Sequence, residues 1–230
     1  LTVGSSDGLT YYGVSKFTLT SDVGGSTYMY PAGLVGYAHV GSTLENLTNF
    51  AAIEVSAGCN VPHRAGGIAG TIKSGVTMTN CVNYGPVYDY QESCANASKL
   101  SIGGVTGAID GDNCVITNCA NYGDVYSKAP NVLYIGGVIG KGAYISTITS
   151  CVNEGTVTND ASAYFDQSAS TSYAIHIGGV IADALASGIV IDKCTNKGMV
   201  TLSNVITPTG FGLGIGGVIG YSNVNTTIKG

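Results

Sequence analysis

The sequence has no tryptophan, a single arginine (Arg64), three histidines and only 10% charged residues across 230 positions. Each scarcity excludes something. Nucleic-acid binding needs clustered Lys and Arg to neutralise phosphates, and one arginine in a chain of net charge −5 does not supply them. A bilayer-spanning helix needs about 18 or more consecutive apolar residues, and no such run occurs. So few charges also leave little material for the solvated face of amphipathic helices. What is abundant is glycine, at 35 residues, beside a hydrophobic share of 44% rich in Val, Ile and Tyr. That is the composition of strands and turns.

The abundance is organised as a two-part phrase. Ile135-Gly136-Gly137-Val138-Ile139-Gly140 is followed by Cys151-Val152-Asn153-Glu154-Gly155-Thr156-Val157. The same phrase pairs Ala65-Gly66-Gly67-Ile68 with Cys81-Val82-Asn83-Tyr84-Gly85, and Ile102-Gly103-Gly104-Val105 with Cys119-Ala120-Asn121-Tyr122-Gly123. It returns as Ile177-Gly178-Gly179-Val180 with Cys194-Thr195-Asn196-Lys197-Gly198. The second glycines, Gly67, Gly104, Gly137, Gly179 and Gly217, are spaced by 37, 33, 42 and 38 residues, with a degenerate copy at Gly33. Periods of 20 to 50 residues mark solenoids and propellers.

Gly-to-Cys distances are 14 or 15 residues, whereas Cys-to-next-Gly distances run 23, 18, 28 and 23. One side of the unit is therefore constrained and the other accepts insertions. Apolar residues alternate before the cysteine (Val76, Met78; Cys114, Ile116; Ile189, Ile191), with Thr77, Thr79, Thr117, Thr147 and Thr149 between them facing outward. Asn and Gly after the cysteine predict a turn with glycine at positive φ, and Val87, Val125, Val157 and Val200 start a further strand.

These patterns predict an all-β, right-handed parallel β-helix of about five to six coils. Each coil has three short strands in a roughly triangular section, and a propeller is the competing architecture. Residues 1–30 form a lead-in, 31–220 the solenoid with coils starting near 31, 65, 102, 135, 177 and 215, and 221–230 a further partial coil. Leu9-Thr10-Tyr11-Tyr12-Gly13 occupies a Cys-turn position, and Thr226-Thr227-Ile228 matches the strand before another cysteine. Neither end reads as a polar cap, so the ends are expected to stack on further repeats or another partner.

Gly33-Leu34-Val35-Gly36, its variants Gly137-Val138-Ile139-Gly140 and Gly217-Val218-Ile219-Gly220, and the Cys-x-Asn-x-Gly-x-Val segments resemble the GLUG repeat of large bacterial surface proteins. These include adhesin-like proteins of Bacteroidetes and regions beside some IgA peptidases. The resemblance covers about residues 31–228, with Ala182 replacing the last glycine in one copy. It implies an extracellular or cell-surface location and an adhesive or architectural role. The implied partners are a host or bacterial surface protein, a glycan, or other segments of a larger surface protein. It brings no catalytic residues.

Gly67, Gly104, Gly137, Gly179 and Gly217 are read as scaffold. Cys81, Cys119, Cys151 and Cys194 share one coil position, so they are expected as a column of free, buried thiols. Four ligands in a line cannot surround zinc tetrahedrally, and no metal or cofactor is expected. Asn83, Asn121, Asn153 and Asn196 are expected to bond along their column and to turn backbone. Cys59 and Cys94, in the variable corner, are candidates for a disulfide. Tyr84 with Tyr122, and Tyr88 with Tyr126, are the candidate binding residues, as platforms for sugars or proteins.

Asp110-Gly111-Asp112-Asn113 carries calcium-type oxygens but lacks the downstream bidentate Glu and reads as a turn. His39, His63-Arg64 and His176 read as surface or turn residues. Glycoside cleavage needs two flanking carboxylates, and neither Asp89 with Glu92 nor Asp110 with Asp112 joins a convergent cluster. A flat, ice-binding threonine array is broken by Val115, Val190 and Asp192. The expected function is a non-enzymatic adhesive or architectural module. Its contacts are placed at the variable corners near residues 88–101, 126–133, 158–174 and 201–213. A carbohydrate-binding or carbohydrate-processing module using the tyrosines is the alternative.

Overall fold

The computed structural model describes residues 2–3, 9–19, 28–57, 62–91, 100–129, 133–160, 174–203, 212–222 and 225–230. Among these residues every regular element is a strand, and consecutive repeats pair in parallel. Parallel pairing of each repeat with the next is a solenoid ladder, whereas propeller blades are built from antiparallel strands within a repeat. The chain is a parallel β-solenoid. Among the described residues no helix is long and apolar enough to cross a membrane.

A complete coil contains five strands. In one of them the strands are Leu100–Gly103, Thr106–Ile109, Cys114–Thr117, Ala120–Asn121 and Val125–Ser127. Among the described residues they stack into a first sheet of five strands, a second of six, a third of seven, and a fourth and fifth of six each. The finer expectation of three strands per coil is corrected because two bends divide longer segments. The Gly-Gly pair separates the first strand from the second. The residue before the cysteine position separates the third from the fourth by adopting left-handed backbone, at Asn46, Asn80, Asn118, Ser150 and Lys193 (φ 53 to 55°).

Positive φ thus falls on that column, not on the glycine of Cys-x-Asn-x-Gly. That glycine answers a different demand. A Cβ on Gly123 would lie 2.1 Å from Gly85 O, and one on Gly155 would lie 2.0 Å from Gly123 O. The turns stack backbone on backbone, and no side chain fits between them.

The coil section is also not a simple triangle. The first and second strands fold back against each other as an internal partition, and both are buried on both faces. Glycines allow the contact: a Cβ on Gly107 would meet Ala65 N at 2.7 Å, and one on Gly140 would meet Ile102 N at 2.6 Å. The partition divides the apolar interior into two cores. Ile53, Val87, Leu100, Ile102, Val125, Leu133 and Ile135 fill the lobe between the first and fifth sheets. Leu44, Ile72, Met78, Ile109, Ile116, Ile139 and Ile148 fill the lobe bounded by the second, third and fourth sheets. The third and fifth sheets keep the plain inward/outward alternation, as in Cys114–Thr117 with Val115 exposed and in Val87–Asp89 with Tyr88 facing out.

Candidate functional site

The corner between the fourth and fifth strands carries the first candidate pair. Tyr84 and Tyr122 stack with centroids 4.9 Å apart and planes at 10°. The stack is longer than the sequence reading placed it. Phe50 lies 4.7 Å from Tyr84 at 5°, and Tyr12 lies 4.9 Å from Phe50 at 3°. Ladder spacing of about 4.8 Å between in-register strands imposes the ring spacing. Phe50 is hard to read from the sequence because Leu47-Thr48-Asn49-Phe50-Ala51 keeps the Asn and the ring but replaces the Cys and Gly that mark the phrase. In later coils Glu154 and Lys197 take the corner and form an ion pair at 2.7 Å.

Stacking has a chemical consequence. A sugar binds an aromatic ring by lying on its face, and inside this column each face is covered by the next ring. Phe50 and Tyr84, stacked on both faces, are 41% and 45% exposed, and what they present is ring edge. Tyr88 and Tyr126 stand on a separate column, on the outer face of the fifth sheet, where their rings meet edge to face at 6.1 Å and 84°. Tyr90 joins them at 5.8 and 6.2 Å. It was missed although the Tyr88-Asp89-Tyr90 alternation places both rings on one face. Tyr126 Oη lies 3.3 Å from Asp160 Oδ2.

The Asn column bonds as expected and gains a member. Nδ2 of Asn49, Asn83, Asn121 and Asn153 each donates to Oδ1 of the next Asn at 2.8 Å, ending on Asn196. Each amide also donates to the carbonyl two residues on, as Asn121 does to Gly123 O at 2.7 Å. The column cysteines are free thiols, with Cys81, Cys119 and Cys151 buried and Cys194 half-buried. Cys59 and Cys94 lie outside the described residues.

Several polar residues are placed differently from the sequence reading. His63 and His176 are not surface residues. His63 Nε2 lies 3.4 Å from Asp89 Oδ1 with both side chains fully buried, and His176 Nδ1 lies 3.3 Å from Asp183 Oδ1. Ser127 Oγ donates to Asp89 Oδ2 at 2.7 Å. Serine, aspartate and histidine therefore meet, but the aspartate stands between the other two and none of them reaches solvent. A hydrolytic triad needs the histidine beside the serine and access for substrate.

Arg64 is also largely buried, where the partition opens outward. Its guanidinium contacts Asp110 at 2.9 Å and Thr71 Oγ1 at 3.3 Å, and lies over the Tyr28 ring at 4.4 Å. Lys73 also donates to Asp110. Burial opposes ionisation of Asp110, but the hydrogen bonds from Lys73 and Arg64 prevail and hold its carboxyl below the usual carboxylate range. A carboxylate already held by two cations is a poor calcium ligand. The rest of that loop is a turn, with Asn113 at φ 61° and Asp112 Oδ1 accepting the Ile145 N–H. Farther along the same opening, burial followed by the charges of Asp183 and Tyr28 pushes the Tyr134 hydroxyl up to about 12.

No family model, curated protein or solved structure matches this chain.

Proposed function

We propose that the chain is a non-enzymatic adhesive or architectural β-solenoid module of a bacterial cell-surface protein. Its partners are a host or bacterial surface protein, a glycan or other segments of a larger surface protein. One observation carries the reading: the repeated polar and aromatic side chains are used up on their own copies in neighbouring coils. The Asn amides bond along their column and the corner rings cover one another's faces. Recognition then falls to the stretches that differ between coils, near residues 88–101, 126–133, 158–174 and 201–213. The burial of Ser127, Asp89 and His63 supports a role without hydrolysis.

Corner replacement tests this. Exchanging residues 161–173 for a Gly/Ser linker of equal length should leave the strand circular-dichroism signal intact while reducing adhesion of coated beads to bacterial or epithelial surfaces. Adhesion that survives linker replacement of every variable corner would sink the reading.

A second reading, carbohydrate binding, is favoured by the edge-to-face cluster of Tyr88, Tyr90 and Tyr126. Those rings meet at angles of 42 to 84°, whereas the rings of the stack lie flat on one another. Glycan-array binding lost in Tyr88→Ala/Tyr126→Ala but kept in Tyr84→Ala/Tyr122→Ala would favour it.

A further inference from the structure

The outer face of the fifth sheet changes chemistry along the solenoid axis. Lys16, Glu54, Tyr88, Tyr126, Thr158 and Thr201 stand in register on its six rungs. Two residues farther along the same face, Tyr90, Lys128 and Asp160 flank Tyr88, Tyr126 and Thr158. Two aromatic rungs are thus followed by two that carry hydroxyls. Val87–Asp89 and Val125–Ser127 are the central pair of the six strands, so the tyrosines are approached from the side of the rod and not through either end of the stack. Tyr90 is 38% exposed there.

We propose that this face binds an extended, neutral, β-1,4-linked glycan laid along the solenoid axis with one sugar to a rung, an assignment that rests on the carbohydrate reading of Tyr88, Tyr90 and Tyr126. The direction follows from spacing. Rungs are about 4.8 Å apart, close to the advance of one sugar in an extended chain, so successive sugars meet successive strands. Neutrality follows from the charges of the face. Lys16 pairs with Glu54 at 3.9 Å, and Lys128 and Asp160 add one charge of each sign, so the four sum to zero and offer an acidic chain no net attraction.

The rungs then divide the chemistry of a sugar chain between them. Tyr88 and Tyr126, with Tyr90 at 5.8 and 6.2 Å, supply apolar contact for the C–H surface of two sugars. None of the three rings lies parallel to another. Asp160 joins the aromatic rungs to the polar ones, because its Oδ2 lies 3.3 Å from Tyr126 Oη. Ionised, it accepts hydrogen bonds from sugar hydroxyls and donates none. Thr158 and Thr201, whose Oγ1 atoms are 3.5 Å apart, both donate and accept, and they meet the third and fourth sugars.

The experiment is a calorimetric titration of the 230-residue chain with β-1,4-linked gluco-, manno-, xylo- and galacto-oligosaccharides of one to six units. At least one series should bind, with affinity rising about tenfold or more between two and four units and levelling beyond. Mannuronate oligomers, β-1,4-linked with a carboxylate on every unit, should bind about tenfold more weakly than the best neutral series of equal length. Thr158→Val/Thr201→Val, which keeps β-branched side chains on the strands, should remove the rise with length. Tyr88→Ala/Tyr126→Ala should lose binding at every length, and circular-dichroism melts establish that both variants fold. Affinity independent of length, a rise that survives Thr158→Val/Thr201→Val, or equal binding of mannuronate overturns the proposal and leaves the carbohydrate reading standing. Failure of every series to bind also overturns it, and the carbohydrate reading falls with it only if the glycan array is blank as well.

Discussion

Gly104 and Asn121 touch across the coil: a Cβ on Gly104 would lie 2.1 Å from Asn121 Cγ and 2.2 Å from Gly137 O. The relationship repeats at Gly67 with Asn83, Gly137 with Asn153 and Gly179 with Asn196, each at 2.2 Å. The tip of the internal partition thus rests on the amide ladder. This contact explains why the Gly-to-Cys distance is nearly constant at 14 or 15 residues. The Asn two residues after each Cys must arrive opposite its glycine, and a longer or shorter third strand would miss it.

Gly104→Ala should therefore be severe, because backbone and a bonded amide cannot both retreat. A loss of about 3–5 kcal/mol is expected, read as a lowered urea midpoint. The same substitution made in an Asn121→Ala background should cost less, because one of the two obstacles is gone. An equal loss in both backgrounds would show that the Asn contact is not the reason for the glycine.

The ladder makes its own prediction. Asn121→Ala removes the acceptor of Asn83 Nδ2 and the donor to both Asn153 Oδ1 and Gly123 O, all buried. Buried groups left without partners cost about 1–3 kcal/mol each, so a loss of about 2–4 kcal/mol is expected in thermal or urea unfolding.

Period, parallel stacking and the Asn and Cys columns were legible in the sequence because identical residues at a fixed phase must stack. The internal partition was not. Its signal is the Gly-Gly bend followed by a third glycine, as in Gly103-Gly104-Val105-Thr106-Gly107, and close backbone packing leaves only small residues as its trace. Burial of His63, Arg64 and His176 was equally hidden, since each depends on a partner from another strand: Asp89, Asp110 and Asp183. The left-handed column was masked because Asn46, Asn80 and Asn118 give way to Ser150 and Lys193, which share a backbone shape and no chemistry.

That column can be improved. Left-handed backbone costs a residue bearing a Cβ about 1–2 kcal/mol, and Asn offsets part of this through local hydrogen bonding. Lys193→Gly and Ser150→Gly should each raise stability by about 0.5–1 kcal/mol, which for a chain of this size is about 1–4 °C in Tm. Asn118→Val should move the other way by about 1–2 kcal/mol. A fall in Tm for both glycine variants would contradict the strained-corner account.

Asp110 gives the chain a defined acid dependence. Its folded carboxyl is held below the ordinary 3.8 by Lys73 and Arg64 against the opposing effect of burial. The stabilisation is therefore fully present above 3.8 and lost as pH falls through the lower folded value. The Lys73 ammonium is raised above 10.5, chiefly by its hydrogen bond to Asp110, so its share persists below 10.5 and fades only at higher pH. Asp110→Asn should be less stable than the parent by about 1–3 kcal/mol at neutral pH, since it loses charge-assisted bonds. That gap should stay flat through the window between the two values and narrow in more acidic buffer. Urea midpoints of both proteins across that range decide it, and a gap that widens below pH 3.8 would show that the two cations do not stabilise the carboxylate.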